Sequence, residues 1–329
     1  MAITQDAPPA AATLTSTNPV TGEVVGTFAV DGPEAVEAAV ARARPAAAWW
    51  AGLGFEGREQ RLLAFKGHLA RQADELCELV RRENGKPLDD AFFEVLVAVD
   101  HLDWAARKAA KVLKPRRVPS TLLLANQAAS VEYPPVGVVG VLGPWNYPVL
   151  TPMGSIVYAL AAGNAVVFKP SELTPAVGRW LVDAFAELVR EQPVLQLVTG
   201  FGATGAALCR SGVDKLAFTG SPGTGRKVMA ACAERLTPVV LELGGKDVMI
   251  VDDDADVGAA ADAAVWGGLS NAGQICIAVE RVYGLREFTR PQAITRQRFP
   301  LPFALQSFDR PERLIPILKR SMRLRHGRR

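Results

Sequence analysis

From residue 136 onward the sequence settles into one repeating unit: a short apolar run, a polar or Gly-rich loop, then a helical stretch. The runs are VGVVGVL, AVVFK, VLQLV, KLAF and VVLEL. Between them, residues 150–162, 175–190, 203–211 and 223–235 carry helical patterning. Strands apolar on both faces that alternate with helices form a parallel sheet covered on both sides, with right-handed crossovers. The fold class is therefore α/β. Such sheets bind ligands beyond the carboxyl ends of their strands. Chemistry is expected in the loops that begin at Gly143, Lys169, Thr199, Thr219 and Glu242.

The part before this rhythm is helical. After a loose Ala/Pro/Thr leader, residues 18–28 (NPVTGEVVGTF) read as two short strands about a Thr-Gly turn. Helices are expected over 33–49, after an Asp31-Gly32-Pro33 start signal, and over 56–82 and 88–111. His68, His101 and Cys77 fall inside these helices and read as packing residues. Residues 116–133 look like an extended, hairpin-like excursion.

Several classes are excluded on composition. The N-terminus lacks the basic and apolar regions of a secretory signal. Residues 133–168 hold no charge, but Pro, Gly and Asn punctuate them, so a buried strand–loop–helix–strand is expected rather than a membrane span. Cys77, Cys209, Cys232 and Cys276 are dispersed without a CxxC pair, and the three histidines lack metal-ligand spacing. A cytoplasmic protein with no metal is expected. The net charge of +3 is unevenly spread. Residues 284–329 hold twelve basic and three acidic side chains, a net of +9, which leaves −6 on the preceding body.

Two Gly-rich loops compete for a phosphate. Gly200-Phe-Gly202-Ala-Thr-Gly205 fits GxGxxG, yet the expected acid about twenty residues on is not evident, since Asp214 opens the next strand. Tight-turn glycines are the favoured reading there. Phe218-Thr219-Gly220-Ser221-Pro222-Gly223-Thr224-Gly225 is the better candidate, because it ends a strand and opens a helix whose free amides and dipole suit an anion. The loop after AVVFK adds Lys169, Ser171 and Glu172; its carboxylate can accept from both hydroxyls of a ribose. Together these loops fit an adenine dinucleotide.

Three further loops hold polar residues in apolar surroundings. Cys276 follows Gly273-Gln274-Ile275, and a cysteine attacks as its thiolate. Glu242 ends VVLEL ahead of Gly244-Gly245, which permit close approach of a backbone or ligand. Asn146, in the Pro-bracketed turn GPWNYP, could donate to a developing oxyanion. Taken singly, each has a plainer reading: a buried Cys, a surface Glu, a turn Asn.

The motifs PWNYP, FKPSE, FTGSPGTG, LELGGK and NAGQIC, in this order and spacing, resemble the NAD(P)-dependent aldehyde dehydrogenase superfamily over about residues 18–283. The resemblance implies an aldehyde dehydrogenase-like fold, Cys276 as catalytic thiol, Glu242 as general base, and Asn146 as oxyanion donor beside the Cys276 amide. It implies that Lys169 and Glu172 hold the adenosine ribose, with Ser171 in the same loop. The pyrophosphate would lie on Ser221, within the turn of Gly220 and Gly225. Trp145 would line the site and Leu243 would lie near the nicotinamide. NAD is expected over NADP, because Glu172 would repel a 2′-phosphate. The implied reaction oxidises an aldehyde to a carboxylic acid through a cysteine thiohemiacetal and thioester; semialdehyde, aliphatic and aromatic substrates stay open.

On this resemblance residues 1–242 are an NAD-binding domain, with an oligomerisation-type hairpin at 116–133. Residues 243–283 begin the catalytic domain, and 284–329 are expected to be a disordered basic tail of unrelated sequence. Residues 284–329 show no Glu-x-Phe-Gly-Pro motif of the kind that holds the nicotinamide ribose in the family. A frameshift or premature stop is the expected origin, with turnover and homo-oligomer assembly impaired. Two other readings stand beside the enzyme: an inactive NAD-binding remnant, and an Arg-rich tail that binds nucleic acid. The second is disfavoured because the tail shows no recognisable nucleic-acid-binding fold, and neither nucleic acid nor membrane is expected as a partner.

Overall fold

The computed structural model describes residues 12–124, 126–252, 254–284 and 314–327. Two antiparallel strands come first, β1 (Thr13–Thr17) and β2 (Val24–Ala29). The first lies within the stretch expected to be leader. Its alternation of exposed Thr and buried Leu14 and Ser16 is a half-buried strand's signature. Residues 18–20, expected to be strand, join Thr21 in the turn instead, because the Asn18 carboxamide accepts from the amides of Val20 (2.8 Å) and Thr21 (3.1 Å). The leader residues 1–11 lie outside the described residues.

Four helices follow: α1 (Pro33–Gly52), α2 (Gly54–Arg71), α3 (Ala73–Asn84) and α4 (Leu88–Val112). The single helix expected over 56–82 is broken at Gln72, whose amide closes α2 onto His68 (3.0 Å) before α3 restarts. A left-handed Gly85 (φ +83°) then ends α3, a conformation that glycine adopts without steric cost. Residues 116–133 do form a hairpin, β3 (Arg116–Val118) against β4 (Ala129–Val131).

The alternating region builds a five-stranded parallel sheet. Its elements are β5 (Val138–Leu142), α5 (Leu150–Ala161), β6 (Ala165–Lys169), α6 (Pro175–Leu188), β7 (Leu195–Leu197), α7 (Gly202–Arg210), β8 (Lys215–Gly220), α8 (Pro222–Ala233) and β9 (Val239–Leu243). The strand order is β7-β6-β5-β8-β9, so the chain winds outward from β5 first on one side and then on the other. Every residue of β5 and β6 is buried, as their unbroken apolar runs require. Register sets Leu142 opposite both Lys169 and Phe218, and Gly220 opposite Leu243. The carboxyl ends of four strands thus open on one edge, at the switch point where such sheets bind ligands.

Beyond this sheet lie β10 (Asp247–Val251), α9 (Val257–Leu269) and β11 (Val279–Gly284), with β10 and β11 paired in parallel. None of the α9 residues is buried, although the helix is apolar apart from Asp262.

The basic tail departs from expectation. Residues 285–313 lie outside the described residues, but Leu314–His326 form a helix, α10, packed on α2 and α4. Ile315, Leu318 and Met322 recur at helical spacing, and Ile315 and Met322 are buried. Lys319 pairs with Asp74 at 3.1 Å and Arg323 pairs with the same carboxylate. A three-turn apolar stripe is lost to view when the tail is read as one aperiodic segment; local burial and an acidic partner are sufficient to order it.

Candidate active site

The five switch-point loops enclose two adjoining cavities. The larger, about 680 Å³, is lined by Trp145, Asn146, Glu172, Gly220, Ser221, Glu242, Leu243 and Cys276, among others. The smaller, about 450 Å³, is lined by Lys169, Ser171 and Glu172 together with Gly202, Gly205, Thr224 and Lys227. Glu172, Phe218 and Thr224 belong to both. Residues spread over 131 positions of sequence, from Trp145 to Cys276, are brought to one edge by the parallel sheet.

Cys276 is set apart from the other three thiols by exposure. Cys77, Cys209 and Cys232 are buried, whereas Cys276 is exposed and unbridged. Burial pushes Cys77 and Cys209 up to about 12 and raises Cys232 as well, so these three stay protonated and unreactive near neutral pH. The loop that carries Cys276 is unusual: Asn271 (φ +51°), Ala272 (φ +54°) and Gly273 (φ +74°) are consecutive left-handed residues. For Ala272 that conformation costs about 1–2 kcal/mol. The loop is held by Asn271, whose carboxamide donates to the carbonyls of Asn146 (3.3 Å) and Gln274 (3.1 Å).

Glu242 stands exposed near the end of β9, and the Gly244-Gly245 turn follows it. The Gly245 amide donates to the Cys276 carbonyl at 3.3 Å, which ties the thiol loop to the segment after Glu242. Asn146 reaches the same loop, its Nδ2 donating to the Gln274 carbonyl at 2.8 Å. One of its two amide protons is used in that bond.

The smaller cavity and its approach are built as a cradle. Ser221 caps α8, its hydroxyl accepting from the Thr224 amide (3.3 Å), and Pro222 occupies the first turn, where no amide is required. The positive end of the α8 dipole therefore faces the cavities. Lys169 is 6% exposed, donates to the Pro170 carbonyl (2.8 Å) and lies 3.5 Å from the Glu172 carboxylate. Burial holds its ammonium below the ordinary lysine value, with Glu172 acting in the opposite sense. Ser171 is buried, and its hydroxyl accepts from the Leu173 amide (3.2 Å). Gly225 lines neither cavity. A Cβ there would meet Leu243 at 2.8 Å, so its place is a close helix–strand contact.

The GxGxxG loop has both of its readings. Gly200 (φ +145°) makes the tight turn, while Gly202 and Gly205 line the smaller cavity. Asp214 is structural, accepting from the Val138 amide at 2.7 Å. His68 packs beside Trp180, and His101 lines a separate apolar cavity. Among the described residues no group of His, Cys, Asp and Glu could hold a metal ion, and no helix is long and apolar enough to cross a membrane.

A pair absent from the motif reading anchors the Asn146 loop. Lys86 and Glu94 form a buried ion pair at 2.7 Å, and the Lys86 ammonium also donates to the Asn146 carbonyl at 2.6 Å. The signal for it lies in the helix: Glu94 is the lone charge in the apolar run AFFEVLVAV.

Comparison with known proteins agrees with this architecture. A model of the aldehyde dehydrogenase family matches residues 7–290. The 4,4′-diapolycopene aldehyde oxidase of Methylomonas sp is 40% identical over 274 residues, 82% of this chain and 52% of that protein. The chloroplastic betaine aldehyde dehydrogenase of Amaranthus hypochondriacus is 36% identical over 80% of this chain and 54% of its own length. The chain spans about half the length of the curated relatives it matches. Among solved structures, an aldehyde dehydrogenase from Brucella melitensis biovar abortus 2308 superposes with a TM-score of 0.79 at 35% identity. That match covers 83% of this chain and 56% of the other. The PnpE structure in complex with nicotinamide adenine dinucleotide superposes with a TM-score of 0.78 at 34% identity, covering 82% and 55%. The chain belongs to the aldehyde dehydrogenase family.

Proposed function

We propose that this chain carries a site for NAD-dependent oxidation of an aldehyde to a carboxylic acid, with Cys276 as nucleophile. The observation that carries the proposal is the convergence of the one exposed cysteine, Glu242 and Asn146 on a single cavity that adjoins the Lys169–Glu172 loop. The dinucleotide fits the residues present. Gly205 leaves room in the smaller cavity, where a Cβ would approach Leu142 and Lys169 to 3.8 Å, and the capped α8 terminus supplies amides for a pyrophosphate. When bound, the nicotinamide supplies a hydride acceptor. Glu172 beside Lys169 favours ribose hydroxyls over a 2′-phosphate, hence NAD over NADP.

In the first step the Cys276 thiolate adds to the aldehyde carbon, and the carbonyl oxygen becomes an oxyanion. Asn146 Nδ2 and the Cys276 amide donate to that oxygen. Loss of hydride from the thiohemiacetal carbon leaves a thioester on Cys276. Glu242 then takes a proton from water, the hydroxide adds to the thioester, and the Cys276 thiolate departs as the carboxylic acid is released. An aldehyde-dependent rise in NADH absorbance that disappears in Cys276→Ala would support this reading; equal rates in the two proteins would defeat it.

The substrate reading follows from a third cavity of about 730 Å³, which shares Thr219 and Glu242 with the catalytic one. Val97, Val139, Leu150 and Tyr158 line it, Lys215 is its cation, and at Gly154 a Cβ would meet nothing within 4 Å. That surface favours an apolar aldehyde tail over a cationic one. Assembly through the hairpin is part of the proposal, supported by Leu122 and Leu123 at 92% and 93% exposure. So is a cytoplasmic setting, in keeping with four free cysteines.

A second reading, nucleotide binding without turnover, is favoured by one observation: α9, which leads to the Cys276 loop, has no buried residue. Measurable NAD affinity without NADH production across an aldehyde panel would select it.

A further inference from the structure

The loop that bears Asn146 is fixed from below by charge. Glu94 Oε1 accepts from the amides of Val149 (2.6 Å) and Leu150 (3.0 Å), the cap and first residue of α5. Its other oxygen, Oε2, receives Lys86 Nζ at 2.7 Å. The Lys86 ammonium donates again to the Asn146 carbonyl (2.6 Å) and lies 4.4 Å from the centre of the Tyr147 ring. Both side chains are sealed, at 2% and 0% exposure.

A buried ion pair is weak evidence of stabilisation, because its desolvation offsets its attraction; apolar replacements are often neutral or better. What the two charges supply that apolar residues could not is specific hydrogen bonding. Lys86 has three donors, and two are accounted for by Glu94 and the Asn146 backbone. No apolar residue could hold that carbonyl. The opposite face of the Asn146 residue, its Nδ2, is the group aimed at the Cys276 loop.

We infer that Lys86 and Glu94 are positioning residues for the Asn146 carboxamide: Glu94 orients the Lys86 ammonium, and the ammonium sets the peptide from which Nδ2 projects. The inference rests on the proposed role of Asn146 as oxyanion donor. It extends the active site to two buried residues that touch neither substrate nor cofactor cavity.

The two oxygens of Glu94 make the claim separable from folding. In the double variant Lys86→Met/Glu94→Gln, the carboxamide that replaces the carboxylate retains one oxygen to accept from both α5 amides, while the tether to Asn146 is removed. A purely structural pair predicts that stability and Asn146 placement recover together. We expect them to part. The double variant should melt close to the parent. In protein labelled with ¹⁵N-asparagine, its Asn146 side-chain amide signal, assigned by Asn146→Asp, should move or broaden. In the NADH assay kcat should fall about tenfold to hundredfold with KM for the aldehyde unchanged, since a displaced oxyanion donor acts on the transition state.

An unmoved Asn146 signal would overturn the inference, showing that the Asn271 and Gln274 contacts suffice. If the double variant fails to fold, the parent carries the test: the Lys86 ammonium protons, observed in ¹⁵N-lysine-labelled protein, should cross-relax with Asn146 and Tyr147, and their failure to do so would overturn it. An intact tether in a parent that never forms NADH would tell against the proposed chemistry and leave the positioning standing.

Discussion

Asn146 Nδ2 donates to the backbone carbonyl of Gln274 at 2.8 Å, two residues before Cys276. A side chain after β5 is thereby joined to the thiol loop 128 residues further on. Replacing Asn146 by Ala removes both this bond and the proposed oxyanion donor. NADH production should fall by about 10²–10³ in kcat, the usual cost of one such donor, with little change in NAD affinity.

On the proposed reading, Glu172 favours NAD over NADP. Its carboxylate lies 3.5 Å from Lys169 Nζ at the junction of the two cavities. Glu172→Gln keeps the shape and removes the charge that would repel a 2′-phosphate. The ratio of NADP to NAD affinity, measured by calorimetry, should rise about tenfold, the equivalent of roughly 1.4 kcal/mol.

Glu83 makes stability depend on pH. Its carboxylate accepts from Ser16 and from the amides of Ala176 and Val177 at the start of α6. Burial outweighs these bonds and raises the carboxyl above its ordinary 4.5. The native state therefore holds this proton more tightly than the unfolded chain. Its contribution to stability falls as pH rises from 4.5 through the raised value and is level above it. Glu83→Gln should abolish that slope. It should also leave one amide without an acceptor, at a cost of about 1–3 kcal/mol in urea unfolding.

The docking of α10 divides unequally between packing and charge. Met322 and Ile315 are buried, worth about 1.5–3 kcal/mol each, whereas pairs as exposed as Lys319–Asp74 contribute about 0–1 kcal/mol. Burial alone would raise Asp74, but its bonds to Lys319 and Arg323 hold it below the ordinary 3.8. That contribution is present above pH 3.8 and is lost as pH falls through the lowered value. Hydrogen exchange of residues 314–326 should accelerate strongly in Met322→Ser and only slightly in Asp74→Asn.

Much of this architecture is legible in the sequence because burial on both faces leaves a plain mark. The apolar runs of β5 and β6 and the proline at the start of α6 are local signals, and each lies within the expected span. Other features depend on partners that the local sequence does not name. Gln72 breaks a helix that periodicity alone continues, and α10 is ordered by its packing on α2 and α4, far away in the chain. Lys86 and Glu94 fall in the same class. A lone glutamate in an apolar helix marks a buried charge, yet nothing local names Lys86 as its partner or Asn146 as their meeting point. Short motifs reveal the groups that face a ligand; groups that hold those motifs from behind emerge only with the fold.

The central claim is that Cys276 forms a thioester which Glu242 helps to hydrolyse. Glu242→Gln should allow acylation and stall deacylation, so the protein should be mixed with NAD and decanal and its intact mass and peptides measured. The account predicts a mass increase for one decanoyl group, located on Cys276, that builds up in Glu242→Gln and is absent in Cys276→Ala. An unmodified Cys276 under these conditions, or an acyl group on another residue, would contradict it.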